Sequence, residues 1–284
     1  DFGFFPIVST LAWGLGYFGM PHILLRFMAI RDEKELTLSR RIASIWVVIS
    51  MSVAVLIGVV GNAVSKNGMI PYLTTSSDSE TVVIQLANIL SQRGVFFALI
   101  AGLVMAGILA CTMSTADSQL LQASSSFSQN ILQDFLHIKM DEKKAMIYAR
   151  ATVAVIAVIG LLLAWNPNSS VFTIVSFAWA GFGAAFGPTV LLSLYWRRIN
   201  LPGAIAGIVS GAATVIVWDY AKIISSVDET GKAIRITLGS YTGLYSLAIG
   251  FVLSFVLIVI VSLITKEPSD EMIQEFNEMK DSNI

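Results

Sequence analysis

The run Cys111-Thr112-Met113-Ser114-Thr115-Ala116-Asp117-Ser118-Gln119 interrupts an otherwise apolar stretch with hydroxyls, a thiol and a carboxylate. Adjacent hydroxyls at Ser114 and Thr115, with carbonyls of the preceding turn, are hard oxygen ligands of the kind that suits a small alkali cation. Hydroxyls in membrane helices equally bond back to the carbonyl four residues earlier, and the sequence leaves both fates open. Gly102, Ala106, Ala110, Ser114 and Ser118 recur at every fourth position, a small-residue stripe that lets a second helix approach closely. Asp117 lies near the end of the apolar part of the span. An unpaired carboxylate at the bilayer centre costs roughly 2.5 to 3.5 kcal/mol, so it must face water, an ion or a partner, and an aqueous vestibule suits it better than direct ion ligation.

A second chemically suggestive stretch is Gly14-Leu15-Gly16-Tyr17-Phe18-Gly19-Met20-Pro21. Glycine exposes backbone and Pro21 removes a donor, so a helix should break or kink here. Freed carbonyls and amides at membrane depth are tolerated only where they are buried or line a cavity, as in the discontinuous helices of secondary transporters. A plain packing kink is the alternative. Trp13 and Tyr17 are four apart, so on an α-helix they share a face beside the break, a wall for a compact ring or a cation, or an interfacial anchor. The glycines also fit the G-x-G-x-x-G spacing of dinucleotide sites. That fingerprint needs a preceding strand in a βαβ unit, and this one sits inside an apolar span.

These groups must be carried by membrane helices. The chain has 284 residues, 55% hydrophobic and only 13% charged, with mean hydropathy +0.75, where soluble chains carry about 25% charged residues. A bilayer core about 30 Å thick needs about 20 apolar residues of helix. Seven spans are predicted, near 4–25, 42–64, 94–116 (continuing helical to about 130), 145–165, 171–195, 201–221 and 241–264. Open strands would leave backbone groups unsatisfied in lipid, so the fold class is all-α and polytopic, with the lipid bilayer as a partner. Gly181, Gly183, Gly187 and Pro188 make the fifth span bendable, and Gly203, Gly207 and Gly211 give the sixth a ridge for close packing.

Other chemistries find no support. A net charge of -1 lacks the basic surplus that nucleic acid requires. The single cysteine, Cys111, cannot build a disulfide framework, and His22 and His137 stand in no zinc spacing. There is no G-x-S-x-G, phosphate-binding loop or catalytic carboxylate pair, so an enzyme is not expected.

Of the 18 Lys and Arg, thirteen fall in 26–41, 132–150, 197–200 and 265–284. The positive-inside rule places those segments in the cytoplasm, with the N-terminus outside and the acidic tail (Glu267, Asp270, Glu271, Glu275, Glu278) inside. The outer loop 65–93 is long enough for a short helix near Thr81–Leu90. The chain opens on Asp1-Phe2-Gly3 with an apolar run almost at once, as a piece of a longer protein would.

The run from Trp13 to Met28 (WGLGYFGMPHILLRFM), with Gly107 to Leu121 (GILACTMSTADSQLL), resembles the sodium:solute symporter family and its proline transporters, and the resemblance covers essentially the whole chain. It implies a leucine-transporter-type core of two inverted five-helix repeats. Residues 1–196 would be the second repeat, opened by a broken helix, and 197–284 two peripheral transmembrane helices and a cytoplasmic tail. The first repeat would lie outside this chain. The resemblance also implies Na⁺-coupled uptake of L-proline by alternating access, with Trp13, Tyr17, Pro21 and Ser118 at the substrate site. Ser114, Thr115 and the Cys111 carbonyl would hold the coupling Na⁺. Met20 replaces the Gln of the family's proline transporters. Symport of another small solute (pantothenate, choline, a sugar) and a non-transporting sensor or scaffold are the alternatives, although a tail of 19 residues after Thr265 is too short for a kinase.

Overall fold

The protein is described by a computed structural model covering residues 3–32, 34–138, 141–165, 170–227 and 233–281. The polar gap expected at 166–170 lies, apart from Ser170, outside the described residues. Two compact units emerge, one of Lys34–Phe172 and one of Asp1–Glu33 with Thr173–Ile284. Among the described residues six helices are long and apolar enough to cross a membrane, and the chain is a multi-pass membrane protein. The first expected span differs. It is two short helices flanking a tighter 3-10 segment.

The Lys34–Phe172 unit holds α3 (Glu35–Lys66), α4 (Ser76–Glu80), α5 (Val82–Ser91), α6 (Val95–Ser125, running on as a π-helix over Ser126–Phe135) and α7 (Glu142–Leu163). α3 is longer than its apolar stretch because the charged turn Glu35–Arg41 continues the same helix past the hydrocarbon. Gly61 of α3 receives the Val82 side chain, so the loop helix α5 packs closely there. α6 meets α7 through the buried Ser124, whose hydroxyl donates to the Ala149 carbonyl at 2.9 Å. The loop after α3 is closed by Ser65, which donates to the Pro71 carbonyl and accepts from the Leu73 amide, both at 3.1 Å.

α4 begins with a reciprocal cap, in which Thr75 Oγ1 accepts from the Asp78 amide and Asp78 Oδ2 accepts from the Thr75 amide. It ends on Glu80, which reaches 90 residues along the chain. Glu80 accepts from Ser170 Oγ (2.8 Å) and from the amides of Val171 (3.2 Å) and Phe172 (3.0 Å). A carboxylate on the orphan donors of a helix start is favourable by hydrogen bonding and by the helix dipole. The Phe172 amide foremost, then the Ser170 hydroxyl, hold the Glu80 carboxyl below its ordinary value. With the folded value lowered, the cap's stabilisation is complete above the ordinary glutamate range and is lost as pH falls through the folded value. Glu80→Gln at neutral pH, or acid in the parent, is therefore expected to speed amide exchange at Val171 and Phe172 relative to intrinsic rates.

The other unit begins with α1 (Phe4–Ala12), the 3-10 segment Trp13–Phe18 and α2 (Pro21–Met28), and resumes with α8 (Val171–Tyr195) from Thr173. There follow α9 (Leu201–Tyr220), a hairpin of β1 (Lys222–Val227) and β2 (Ala233–Thr237), α10 (Leu238–Thr242), α11 (Ser246–Ile264) and α12 (Asp270–Asp281). The hairpin, with Lys222 opposite Thr237, is a small addition to the all-α reading. The core is Ala180 and Ala184 of α8, Val215 of α9, and Leu247 and Phe251 of α11.

Small residues permit this packing. Beta-carbons at Gly203 and Gly207 would strike Ser262 and Ile258 of α11, and one at Gly211 would strike the Ala184 backbone of α8. Ser254 Oγ donates across to the Gly207 carbonyl at 2.9 Å. Asn200 caps α9 through the Gly203 amide at 3.0 Å, while its Nδ2 donates to Thr265 Oγ1 at 2.7 Å and to the Lys266 carbonyl at 2.6 Å, beyond the end of α11. α9 and α11 are thus joined along their length and at one end.

Candidate functional site

The break lies where the glycines predict it. Gly19 ends the 3-10 segment, its amide donating to the Gly16 carbonyl at 3.0 Å. Met20 is extended (φ -83, ψ 115) and Pro21 is the first residue of α2, where its missing N–H is costless. The half-buried Pro21 thereby restarts the helix.

The 3-10 geometry changes which side chains align. At three residues per turn, positions i, i+3 and i+6 eclipse, so Trp13, Gly16 and Gly19 fall in one row. Trp13 and Tyr17 do not share the face that an α-helix would have given them. The glycine row meets α8. A beta-carbon on Gly16 would collide with the Trp179 indole, and one on Gly19 with the Phe182 carbonyl and the Gly183 and Gly187 backbone.

Trp179 is the residue that sequence reasoning missed. Its indole occupies the space that Gly16 leaves open, and its Nε1 donates to the Trp13 carbonyl at 2.9 Å. That bond satisfies a main-chain acceptor at the break, where an unpaired group is costly. The same ring stacks on Trp13 (centroids 5.6 Å, planes 13° apart) and takes Tyr17 edge-on (4.9 Å, 84°). A tryptophan in an apolar helix looks lipid-facing in sequence, and only the empty Cβ position at Gly16 hinted at a ring seated there. Tyr17 itself is 52% exposed, so the break presents its ring outward.

The polar run lies in the other unit, in the continuous helix α6. Spacings of three, four and seven put Cys111, Ser114, Thr115 and Ser118 on one stripe. Cys111, Ser114, Thr115 and Asp117 are exposed and Ser118 is half-buried. The hydroxyls divide sharply. Thr112 Oγ1 bonds back to the Ile108 carbonyl and Ser118 Oγ to the Ser114 carbonyl, both at 2.9 Å, the ordinary fate of such groups. Ser114 and Thr115 make no such side-chain bond among the described residues. No such bond fixes their orientation, so both hydroxyl oxygens are free to turn toward a ligand, which fits the donor set of a monovalent hard cation. No group of three or more His, Cys, Asp or Glu suited to a metal occurs among the described residues.

Broken helices are a recurrent feature of secondary transporters. The sequence profile of the sodium:solute symporter family matches residues 4–211. The chain belongs to the sodium:solute symporter family. The osmoregulated proline transporter OpuE of Bacillus subtilis (strain 168) is 41% identical over 274 residues, covering 96% of this chain and 51% of the relative. The high-affinity proline transporter PutP of the same organism is 40% identical over 277 residues, 97% of this chain and 53% of the relative. A sodium/proline symporter of Staphylococcus aureus is 37% identical over 283 residues, 98% and 51%. All three names are those of transporters, not enzymes. The chain spans about half the length of these curated relatives. The stretch matching the symporter family takes in the break, the polar run and Trp179, and ends within α9.

Proposed function

We propose that this chain is the C-terminal part of a carrier that couples Na⁺ influx to uptake of L-proline by alternating access. The observation that carries the reading is the pair of hydroxyls, Ser114 and Thr115, left without back-bonds while their neighbours Thr112 and Ser118 take them, in a symporter chain whose relatives are named for proline. In this reading Ser114, Thr115 and the Cys111 carbonyl ligate Na⁺. Tyr17, Trp13, Pro21 and Ser118 form this chain's share of the proline site. Residues 1–196 act as the second inverted repeat and 197–284 as peripheral helices and tail. A preceding repeat from the same protein completes both sites. The excess of Lys and Arg in alternate gaps supports an outside N-terminus and a cytoplasmic tail.

Energetically one ion suffices. A charge crossing about 150 mV releases about 3.5 kcal/mol and a tenfold gradient adds about 1.4, enough for accumulation of several thousand-fold. Coupling requires that Na⁺ bind one conformation better and favour the arrangement that accepts proline. The deciding experiment is radiolabelled proline uptake into proteoliposomes holding a full-length protein that contains this chain, with and without an inward Na⁺ gradient. Na⁺-dependent accumulation is expected. Uptake of choline, pantothenate or a sugar in its place would reassign the solute, and no uptake from correctly inserted protein would leave a sensor or scaffold.

A further inference from the structure

Tyr245, at the cap of α11, lies more than 200 residues from the break in sequence and yet touches it. Its ring stacks on the Trp13 indole with centroids 5.8 Å apart and planes within 15°. Trp179 stacks on the same indole at 5.6 Å and 13°. Two rings from two other elements thus stack on the one indole of the break. Tyr17, also in the break, has among the described residues one ring contact, edge-on to Trp179, and stays exposed.

Tyr245 is itself fixed at three points. Its phenol O–H donates to the Ser176 carbonyl of α8 at 2.6 Å. Its amide donates to Ser9 Oγ of α1 at 3.0 Å, and that hydroxyl in turn donates to the Gly243 carbonyl at 3.1 Å. The Trp218 indole of α9 donates to the Leu244 carbonyl at 3.0 Å, pinning the backbone just before it. One residue thus joins the last turns of α1, the 3-10 segment and α8, from a helix beyond the family-matched stretch 4–211.

We propose that Tyr245 is a positioning residue of the substrate site: by stacking on the Trp13 indole from a backbone anchored to α1 and a phenol anchored to α8, it helps set the rotation of the 3-10 segment, so that Tyr17 is the ring offered to the solute. This rests on the proline-transport reading above and refines it. Trp13 acts on proline affinity through its place in the stack, and Tyr17 acts by contact.

The test uses a full-length protein containing this chain, with initial uptake rates measured against proline at saturating Na⁺ and against Na⁺ at saturating proline. An aromatic pair is worth enough that Tyr245→Ala should raise the proline KM about five- to tenfold. The half-activating Na⁺ should move less than about twofold, since Na⁺ is assigned to other residues. Tyr245→Phe, which keeps the ring, should hold KM within about threefold of the parent. If Tyr245→Ala fails to reach the membrane, Ser9→Ala removes the acceptor of the Tyr245 amide and should raise KM about threefold. A transporting parent whose KM is unmoved in Tyr245→Ala or Ser9→Ala overturns the positioning role. So does an equal fall in maximal rate in the Phe and Ala variants at constant KM. Absence of proline transport by the parent overturns the functional reading on which the role stands.

Discussion

Thr115→Ala in a full-length protein is expected to raise the Na⁺ concentration that half-activates proline uptake by roughly thirtyfold, with proline recognition at saturating Na⁺ much less affected. The magnitude follows from the loss of one polar ligand to a charged group, about 2 kcal/mol. Ser114→Ala should act in the same direction, and the double variant should lose Na⁺-driven accumulation. Thr112→Ala is the control. Its hydroxyl sits in the same polar run but is turned toward the Ile108 carbonyl, so Na⁺ activation should shift less than about threefold. If Thr115→Ala leaves Na⁺ activation where it was, the ion assignment is wrong. If Thr112→Ala weakens it equally, the availability of the hydroxyls is not what matters.

The second large effect is on folding. Gly19→Ala adds one methyl group at a point where the Phe182 carbonyl oxygen and the backbone of Gly183 and Gly187 already fill the space. Backbone of a membrane helix has no rotamer with which to yield, unlike the Trp179 ring facing Gly16. The break and α8 must separate, at a cost of about 3 kcal/mol or more. A clear drop in thermal midpoint in detergent and a loss of membrane-inserted protein are expected. Gly14→Ala, where an added beta-carbon meets nothing within 4 Å, should be near neutral. Equal stability of Gly19→Ala and Gly14→Ala would contradict the packing described.

What could be read from the sequence was what depends on local composition. Runs of about 20 apolar residues mark spans because the bilayer demands that length, and six of the seven became single long helices. The clustered glycines and Pro21 announced the break because they weaken a helix whatever surrounds them. The kind of helix within the break was not legible. Six residues of 3-10 geometry are chosen by contact with α8, and that choice separated Trp13 from Tyr17. Trp179 and Tyr245 were missed because their partners at the break lie more than 160 residues away and aromatics on apolar helices carry no mark of what they touch. Nothing in the sequence marks Glu80 as the acceptor of the Val171 and Phe172 amides. The hairpin at Lys222–Thr237 has β-branched residues, Ile223, Ile236 and Thr237 among them, but is too short to stand out beside seven spans. In α6 the sequence left two fates open for each hydroxyl, and the helix assigned one fate to Thr112 and Ser118 and left Ser114 and Thr115 out of it.

The unit that holds the break is discontinuous in sequence, and this has a consequence for how the protein is made. Ser9 and Gly243, hydrogen-bonded in the finished fold, are 234 residues apart, and Trp13 is 166 residues ahead of Trp179. At roughly 5 to 20 residues per second, the ribosome takes about 10 to 50 s to deliver the second half of the Ser9 contact. Through that interval α1 and its glycine-rich turn are in the insertion machinery or the bilayer without the ring and the backbone that satisfy them. The whole α3–α7 unit is synthesised in the meantime. The break's final contacts are therefore a late step of assembly, made only after α11 has been synthesised.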